Sequence, residues 1–337
     1  MKKILTPEMI FKAVHNRFTL KVNRGPIGIG LIGIGGWGAT NSANIMRCRR
    51  FNICGVYDTS TQSTYKFAKR FRTKCYPRME ELLKDSGIQA VAVTVPNQFH
   101  EEVVKAAADA GKHIFIEKPL ASYPEICREL GHYCQEKGVI LQVGHQMYRD
   151  PVFGELKRIL DEGVLGQPLF AQAVYTLDRR SRDDWRQDAD ACPGGSMEQL
   201  GVHFIDLLIY LFGQPIYTQG WAKNIPRISD EPDWASVSVS FNNNVHAIIS
   251  TSFSSPSHCR FEVFFDRGHF TTDGEAIRIS FVGSKPRKIK PRGLAGGVVQ
   301  FIDFADCIAF GKKPESGATQ AAAVMDVVRS TFSDKGV

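Results

Sequence analysis

Gly33, Gly35 and Gly38 form a G-x-G-x-x-G at the end of the apolar run Ile27-Gly28-Ile29-Gly30-Leu31-Ile32, and Asp58 follows twenty residues later. The chemistry suited to this pattern is the binding of a dinucleotide. Gly33 permits a tight turn, Gly35 lets backbone N–H groups approach a pyrophosphate, and Gly38 lets the next helix pack closely on the strand. Gly36 and Trp37 lie between them, where a helix N-terminus turns its unpaired N–H groups and positive dipole end toward phosphates. Asp58 closes a second strand-like run that begins at Phe51, and it can accept hydrogen bonds from the hydroxyls of an adenosine ribose. Its carboxylate also repels a 2′-phosphate, which favours NAD; Thr59, Ser60, Lys66 and Arg70 nearby leave NADP open. A lone glycine motif is weak in a chain with 30 glycines. Strand, glycines, helix and acid in register favour the dinucleotide over a merely tight turn.

A second group of residues suits proton transfer. Lys118 follows the run His113-Ile114-Phe115-Ile116, where a parallel sheet's C-terminal edge opens onto a ligand crevice. A lysine partly desolvated beside a cationic nicotinamide has a lowered pKa and can exchange a proton with a substrate hydroxyl. The plainer alternative is a surface lysine that snorkels at a strand end. Glu117 is placed to bind the nicotinamide ribose, and Pro119 to fix the turn, through a cis peptide. His203 and Asp206 stand three apart in a helical segment, so both can face one pocket. His203 either bonds a reacting hydroxyl or is a core histidine satisfied by a carbonyl, and Asp206 either meets substrate or pairs with a neighbouring base.

Composition excludes several other classes. With 43% hydrophobic and 23% charged residues the chain is an ordinary globular protein, and 337 residues are enough for two domains. The net charge of +7 is mild and scattered, without basic runs interleaved with aromatics, so no nucleic-acid partner is expected. Eight cysteines show neither C-x-x-C nor clustered Cys/His spacing, which argues against a metal site or disulfide framework and for a reducing compartment. No apolar run reaches the length of a membrane span, and Glu8, Lys12, His15 and Arg17 interrupt any signal peptide. A cytoplasmic location is the resulting expectation.

These residues need elements to position them. Residues 1–26 read as an N-terminal helical extension. Residues 27–150 alternate strands and helices, which predicts a Rossmann domain with a doubly wound parallel sheet. Residues 151–337 read as a substrate-binding and oligomerisation domain of α+β type. Its successive β runs, joined by polar turns, imply an open, mostly antiparallel sheet. Val237, Val239 and Phe241 alternate with serines there, so one face should cover helices and the other a symmetry mate, giving a homodimer or homotetramer.

At this point the order of motifs resembles the Gfo/Idh/MocA oxidoreductase family, from about Ile27 to the C-terminal helix. Gly33-Ile34-Gly35-Gly36-Trp37-Gly38 is similar to its cofactor fingerprint. Thr94-Val95-Pro96-Asn97-Gln98-Phe99-His100, followed by Ala110-Gly111-Lys112-His113, matches its T-x-P-N-x-x-H and A-G-K-H signature. Glu117-Lys118-Pro119 resembles its E-K-P, and Gly194 to Asp206 its G-G and G-x-H-x-x-D segment. The resemblance implies cofactor contacts from Thr94, Pro96, Asn97, His100 and Glu117, and assigns Lys118 to the reacting alcohol. Trp185-Arg186 also follows a family pattern; Arg186 either closes over the cofactor and excludes water or is a solvated loop arginine.

Two departures stand out. Dehydrogenases of the family commonly carry aspartate four residues before the histidine, where this chain has Gln199. Glutamine can position a hydroxyl but cannot take up its proton. Glu198 is adjacent, but it sits about 100° further round a helix, which makes direct replacement doubtful. Many relatives also carry asparagine and arginine near Gln146 and Tyr148, two residues expected to meet the substrate or the nicotinamide amide. The implied function is NAD(P)-dependent hydride transfer to or from a sugar, cyclitol or related polyol. The alternatives are a non-catalytic regulatory protein of the same fold and an enzyme that keeps and recycles its NAD.

Overall fold

The computed structural model of the chain describes residues 26–179, 185–188, 190–224 and 232–332. The helix expected before residue 26 lies outside them. Six strands form a wholly parallel sheet: β1 (Ile27–Ile32), β2 (Phe51–Tyr57), β3 (Lys74–Cys75), β4 (Ala90–Val93), β5 (His113–Ile116) and β6 (Leu141–Val143). Their order is β3-β2-β1-β4-β5-β6, so the winding reverses between β1 and β4 and opens a crevice at their C-terminal ends. All four residues of β4 are buried, because helices cover both sheet faces and leave no polar side to alternate with. The connecting helices are α1 (Gly36–Cys48), α2 (Thr61–Phe71), α3 (Met79–Lys84), α4 (His100–Asp109) and α5 (Pro124–Glu136).

Beyond α6 (Pro151–Asp161) lies the second sheet, of eight strands. They are β7 (Pro168–Asp178), β8 (Pro215–Lys223), β9 (Trp234–Phe241), β10 (His246–Ser252), β11 (Ser254–Phe265), β12 (Gly268–Thr272), β13 (Ile277–Phe281) and β14 (Arg287–Ile289). Every neighbouring pair is antiparallel except β7 with β10. The alternation in β9 is real: Val237, Val239 and Phe241 are buried, while Ile248 of β10, paired with Ser238, is exposed on the opposite face. Short β3 and β14 carry too few residues to announce themselves as a pattern.

The helical segment that carries His203 and Asp206 opens with a π-turn, Met197–Gly201, and continues as α7 (Val202–Phe212). Such turns tend to occur at functional sites. Helix α8 (Gly296–Phe310) returns to the first sheet, packing Phe301 4.4 Å from Phe115 and Phe304 5.7 Å from Phe51, centroid to centroid. Its Gln300 carbonyl accepts from Gln142 Nε2 of β6 at 2.8 Å, and its Asp306 pairs with Arg50 at 2.7 Å. Helix α9 (Ala318–Ser330) packs on α5 and α7, so the chain's last helices join both sheets.

Candidate functional site

The turn after β1 is held by backbone geometry. Gly33 has φ +85°, and a Cβ there would lie 2.7 Å from the Thr94 carbonyl oxygen, a backbone atom that cannot yield. A Cβ on Gly38 would come within 2.5 Å of the Gly33 oxygen, so α1 and β1 meet as closely as the spacing predicts. Gly35 and Gly36 are different: nothing lies within 4 Å of a Cβ on either, and no side chain caps α1. They face a crevice of about 530 Å³. Thr94 Oγ1 donates to the Gly33 carbonyl at 2.5 Å and fastens the turn to β4. Asp58 Oδ2 accepts from Ile34 N–H at 2.9 Å and Oδ1 from Ser60 N–H at 2.8 Å, which fixes the carboxyl at the crevice wall.

Lys118 and Glu117 line the same crevice beyond β5. Lys118 Nζ donates to the Gln199 carbonyl at 2.8 Å, bridging the two sheets' territories. Desolvation lowers its pKa to about 8, against the pull of Glu117 and with help from Arg186. Burial pushes the Glu117 carboxyl up, while a 2.8 Å bond from Asn41 Nδ2 of α1 holds it in place. The Lys118–Pro119 peptide is cis.

Trp185, Arg186 and Gln199 close the crevice from the side of the second sheet. The Arg186 guanidinium stacks on the Trp185 ring at 4.2 Å, and its Nε donates to Gln199 Oε1 at 3.2 Å. Glu198 faces elsewhere. Its Oε1 accepts from Asn97 Nδ2 at 3.1 Å and Ser122 Oγ at 2.9 Å, so this fully buried acid ties the β4 loop to the loop beyond Lys118. Burial raises its pKa.

His203 keeps partial exposure but sits deep enough that desolvation, then Lys118 and His145, hold its pKa well below the usual imidazole value. The Tyr175 ring lies 6.4 Å from it. The crevice thus brings together Gly33, Gly35, Gly36, Trp37, Asp58, Thr94, Pro96, Asn97, Glu117, Lys118, Trp185, Arg186 and Gln199. Other expected residues, His203 among them, are not part of its lining. Gly38 supports the turn. His100 is buried, with Nδ1 2.8 Å from the Pro119 oxygen and Nε2 3.1 Å from the Val95 oxygen, between the loops that follow β4 and β5. Gln146 packs against Gly297 of α8, where a Cβ would come 3.0 Å from its Oε1. Tyr148 is buried between the Tyr210 ring, at 4.5 Å, and the Arg149 guanidinium, at 4.3 Å. Asp206 is wholly buried and accepts from Gln320 Nε2 at 3.0 Å.

Sequence reasoning passed over Asn41, whose amide holds Glu117, and His145, which follows β6 at the same sheet edge as Lys118. Residue type at a strand end could have flagged His145; nothing short of the fold joins Asn41 to a residue 76 positions away. Among the described residues no cluster of His, Cys, Asp or Glu is arranged to hold a metal ion, and no helix is long and apolar enough to cross a membrane.

Comparison with known proteins places this geometry. Residues 27–145 match the oxidoreductase family GFO_IDH_MocA with an NAD-binding Rossmann fold, and residues 153–271 match the GFO/IDH/MocA C-terminal domain. Glucose-6-phosphate 3-dehydrogenase of Bacillus subtilis is 27% identical over 248 residues, covering 70% of each chain. The scyllo-inositol 2-dehydrogenase (NAD(+)) of the same organism is 28% identical over 250 residues, covering 69% of this chain and 71% of its own. The aldose–aldose oxidoreductase of Caulobacter crescentus, solved with glycerol, shares the fold at a TM-score of 0.85 and 19% identity, covering 91% of this chain and 96% of that one. The chain belongs to the Gfo/Idh/MocA family of oxidoreductases.

Proposed function

We propose that this family member transfers hydride between the nicotinamide of NAD and the carbinol carbon of a sugar, cyclitol or related polyol. The observation that carries the reading is Lys118: an amine whose pKa falls to about 8, at the crevice edge, held toward Gln199 of the opposing domain. Open space above Gly35 and Gly36, beside an uncapped helix N-terminus, fits a pyrophosphate. Asp58 favours a free ribose 2′-hydroxyl and disfavours a 2′-phosphate, which makes NAD the preferred cofactor over NADP. Bound NAD supplies the hydride acceptor in oxidation and NADH the donor in reduction.

The chain's own residues handle the proton. In oxidation the neutral Lys118 amine takes the hydroxyl proton as hydride leaves the same carbon; in reduction the ammonium returns it. His203, held neutral, accepts or donates a hydrogen bond at that hydroxyl. Gln199 orients the substrate without exchanging its proton, and Trp185 with Arg186 keeps water from the reacting atoms. The relatives named for inositol and glucose 6-phosphate support the polyol class. One observation favours a second reading, dinucleotide binding without turnover: Gln199 Oε1 faces Arg186 where dehydrogenases of the family place an acid.

A panel of sugars and cyclitols, assayed by reduced-nicotinamide absorbance after measuring any cofactor that co-purifies, separates the two. Turnover of at least one polyol supports hydride transfer. Tight NAD binding with no turnover across the panel favours the regulatory reading.

A further inference from the structure

Two buried side chains behind Lys118 and His203 have no part in the reaction as set out above. His145 follows β6, the strand beside β5, and Asp206 lies one helical turn beyond His203 on α7. His145 is 2% exposed and Asp206 0%. Nδ1 of the imidazole lies 4.0 Å from Oδ2 of the carboxyl, and neither atom has a hydrogen-bond partner among the described residues. Two unpaired polar atoms sealed from water beside each other form an incipient pair. An approach of about 1 Å, within the reach of side-chain rotation, gives each the partner it lacks. The other carboxyl oxygen is engaged, since Oδ1 accepts from Gln320 Nε2 of α9 at 3.0 Å. Asp206 is thereby held from behind, with Oδ2 left for the imidazole.

We propose that His145 and Asp206 form a buried imidazole–carboxyl pair that positions the proton-handling face of the site, supplying behind Lys118 and His203 the acidic partner that Gln199 does not. The inference rests on the roles given to Lys118 and His203 above. Asp206 Oδ2 accepts a hydrogen bond from the Nδ1–H of His145, which leaves Nε2 as the unprotonated acceptor of the ring. The charged and titratable groups acting on that ring are Asp206 and His203 from α7, Lys118 from the loop after β5, and Arg149 from its own turn. Burial, Lys118 and Arg149 oppose a positive imidazolium and only Asp206 favours it, so the ring is a neutral positioning group. His145 touches neither cofactor nor substrate in this arrangement and acts through the groups in front of it.

The carboxyl's engagement with Gln320 makes the test sharp. In Asp206→Asn the amide oxygen stays with the Gln320 donor, so the amide N–H₂ faces His145 and drives the proton from Nδ1 to Nε2. Nitrogen-15 histidine spectra of the full chain, recorded without substrate, read this directly, with His145→Gln assigning the resonance. The expected result is an Nδ1-protonated His145 that flips to the Nε2-protonated form in Asp206→Asn. An Nε2-protonated ring in the unsubstituted chain, or a tautomer indifferent to Asp206→Asn, overturns the proposal. In turnover, His145→Phe and Asp206→Asn each lower kcat roughly tenfold, less than the ~10²–10⁴-fold expected for a group that moves the proton itself. KM for the polyol and NAD affinity stay near their original values, while the acid limb of the oxidation profile, set by Lys118, moves. Should Asp206→Asn fail to fold by circular dichroism, His145→Phe carries the kinetic test. An inactive Lys118→Ala beside a His145→Phe with unchanged kcat and pH profile sinks this inference and leaves hydride transfer standing. The expected tautomer flip in a chain that turns over no polyol supports the pair and sinks the proposed reaction.

Discussion

The two walls of the crevice are built on different principles. The wall at the end of β1 is mostly backbone: a turn at Gly33 with positive φ, a close approach at Gly38, open space at Gly35 and Gly36, and one carboxyl, Asp58, locked by two N–H groups. The wall around Lys118 is made of side chains drawn from distant positions. Lys118 reaches the Gln199 carbonyl across 81 residues, and Arg186 reaches the Gln199 amide oxygen. A site of backbone atoms tolerates almost no change of residue where a Cβ would strike a carbonyl. A site of side chains can exchange one group for another while keeping the fold.

The largest effect expected from this contrast is at Lys118. Lys118→Ala lowers kcat by roughly two to four orders of magnitude, while NAD affinity, measured by titration, stays nearly intact because the pyrophosphate and adenosine contacts lie elsewhere. Full activity in that variant would erase the distinction between the two sides. On the other side, Gly33→Ala forces a side chain into the left-handed region and against a carbonyl. NAD binding then weakens by roughly ten- to a hundredfold, the equivalent of about 1–3 kcal/mol of strain.

The pH profile offers a third measurement. Lys118 must be neutral to accept a hydroxyl proton, and desolvation brings its pKa down to about 8. Below that value kcat/KM for oxidation therefore falls about tenfold per pH unit, and above it the rate levels off. Reduction, which needs the ammonium, shows the opposite slope. Gln199→Asp sharpens the point: a negative charge near Lys118 raises its pKa, so the oxidation limb shifts to higher pH with a change of only a few-fold at the plateau. An unmoved limb would mean that Lys118 is not the titrating group. At Asp58 the change expected is in specificity: Asp58→Ala weakens NAD and relaxes discrimination against NADP by roughly tenfold. Tighter binding of NADP than NAD by the unaltered chain would show that Asp58 does not read the ribose.

Much of the fold could be read from short stretches. Ala90–Val93 is apolar at every position because helices cover both sheet faces, and the strand His113–Ile116 appears with the limits of its apolar run. The turn after β1 was equally legible, since the glycines that make it act on neighbours in the chain. Gln146, Tyr148, His203 and Asp206 are not part of the crevice lining, and no local pattern says whether a polar side chain faces a cleft or the next helix. The π-turn at Met197–Gly201 carries apolar residues at ordinary helical spacing, so the extra residue leaves no trace in the periodicity.

The sequence by itself determined the strand–turn–helix with its acid, the alternation of strands and helices, and the lysine at the end of β5. These depend on steric limits and hydrophobic spacing over a few residues. Only the tertiary structure decided that α8 returns to the first sheet through Phe301 and Phe304, and that β7 pairs in parallel with β10. It also set His145 against Asp206, 4.0 Å apart though 61 residues separate them along the chain. Such contacts arise when whole layers bury their apolar faces together, and the desolvation that tunes Lys118, His203 and His145 exists only once those layers have closed.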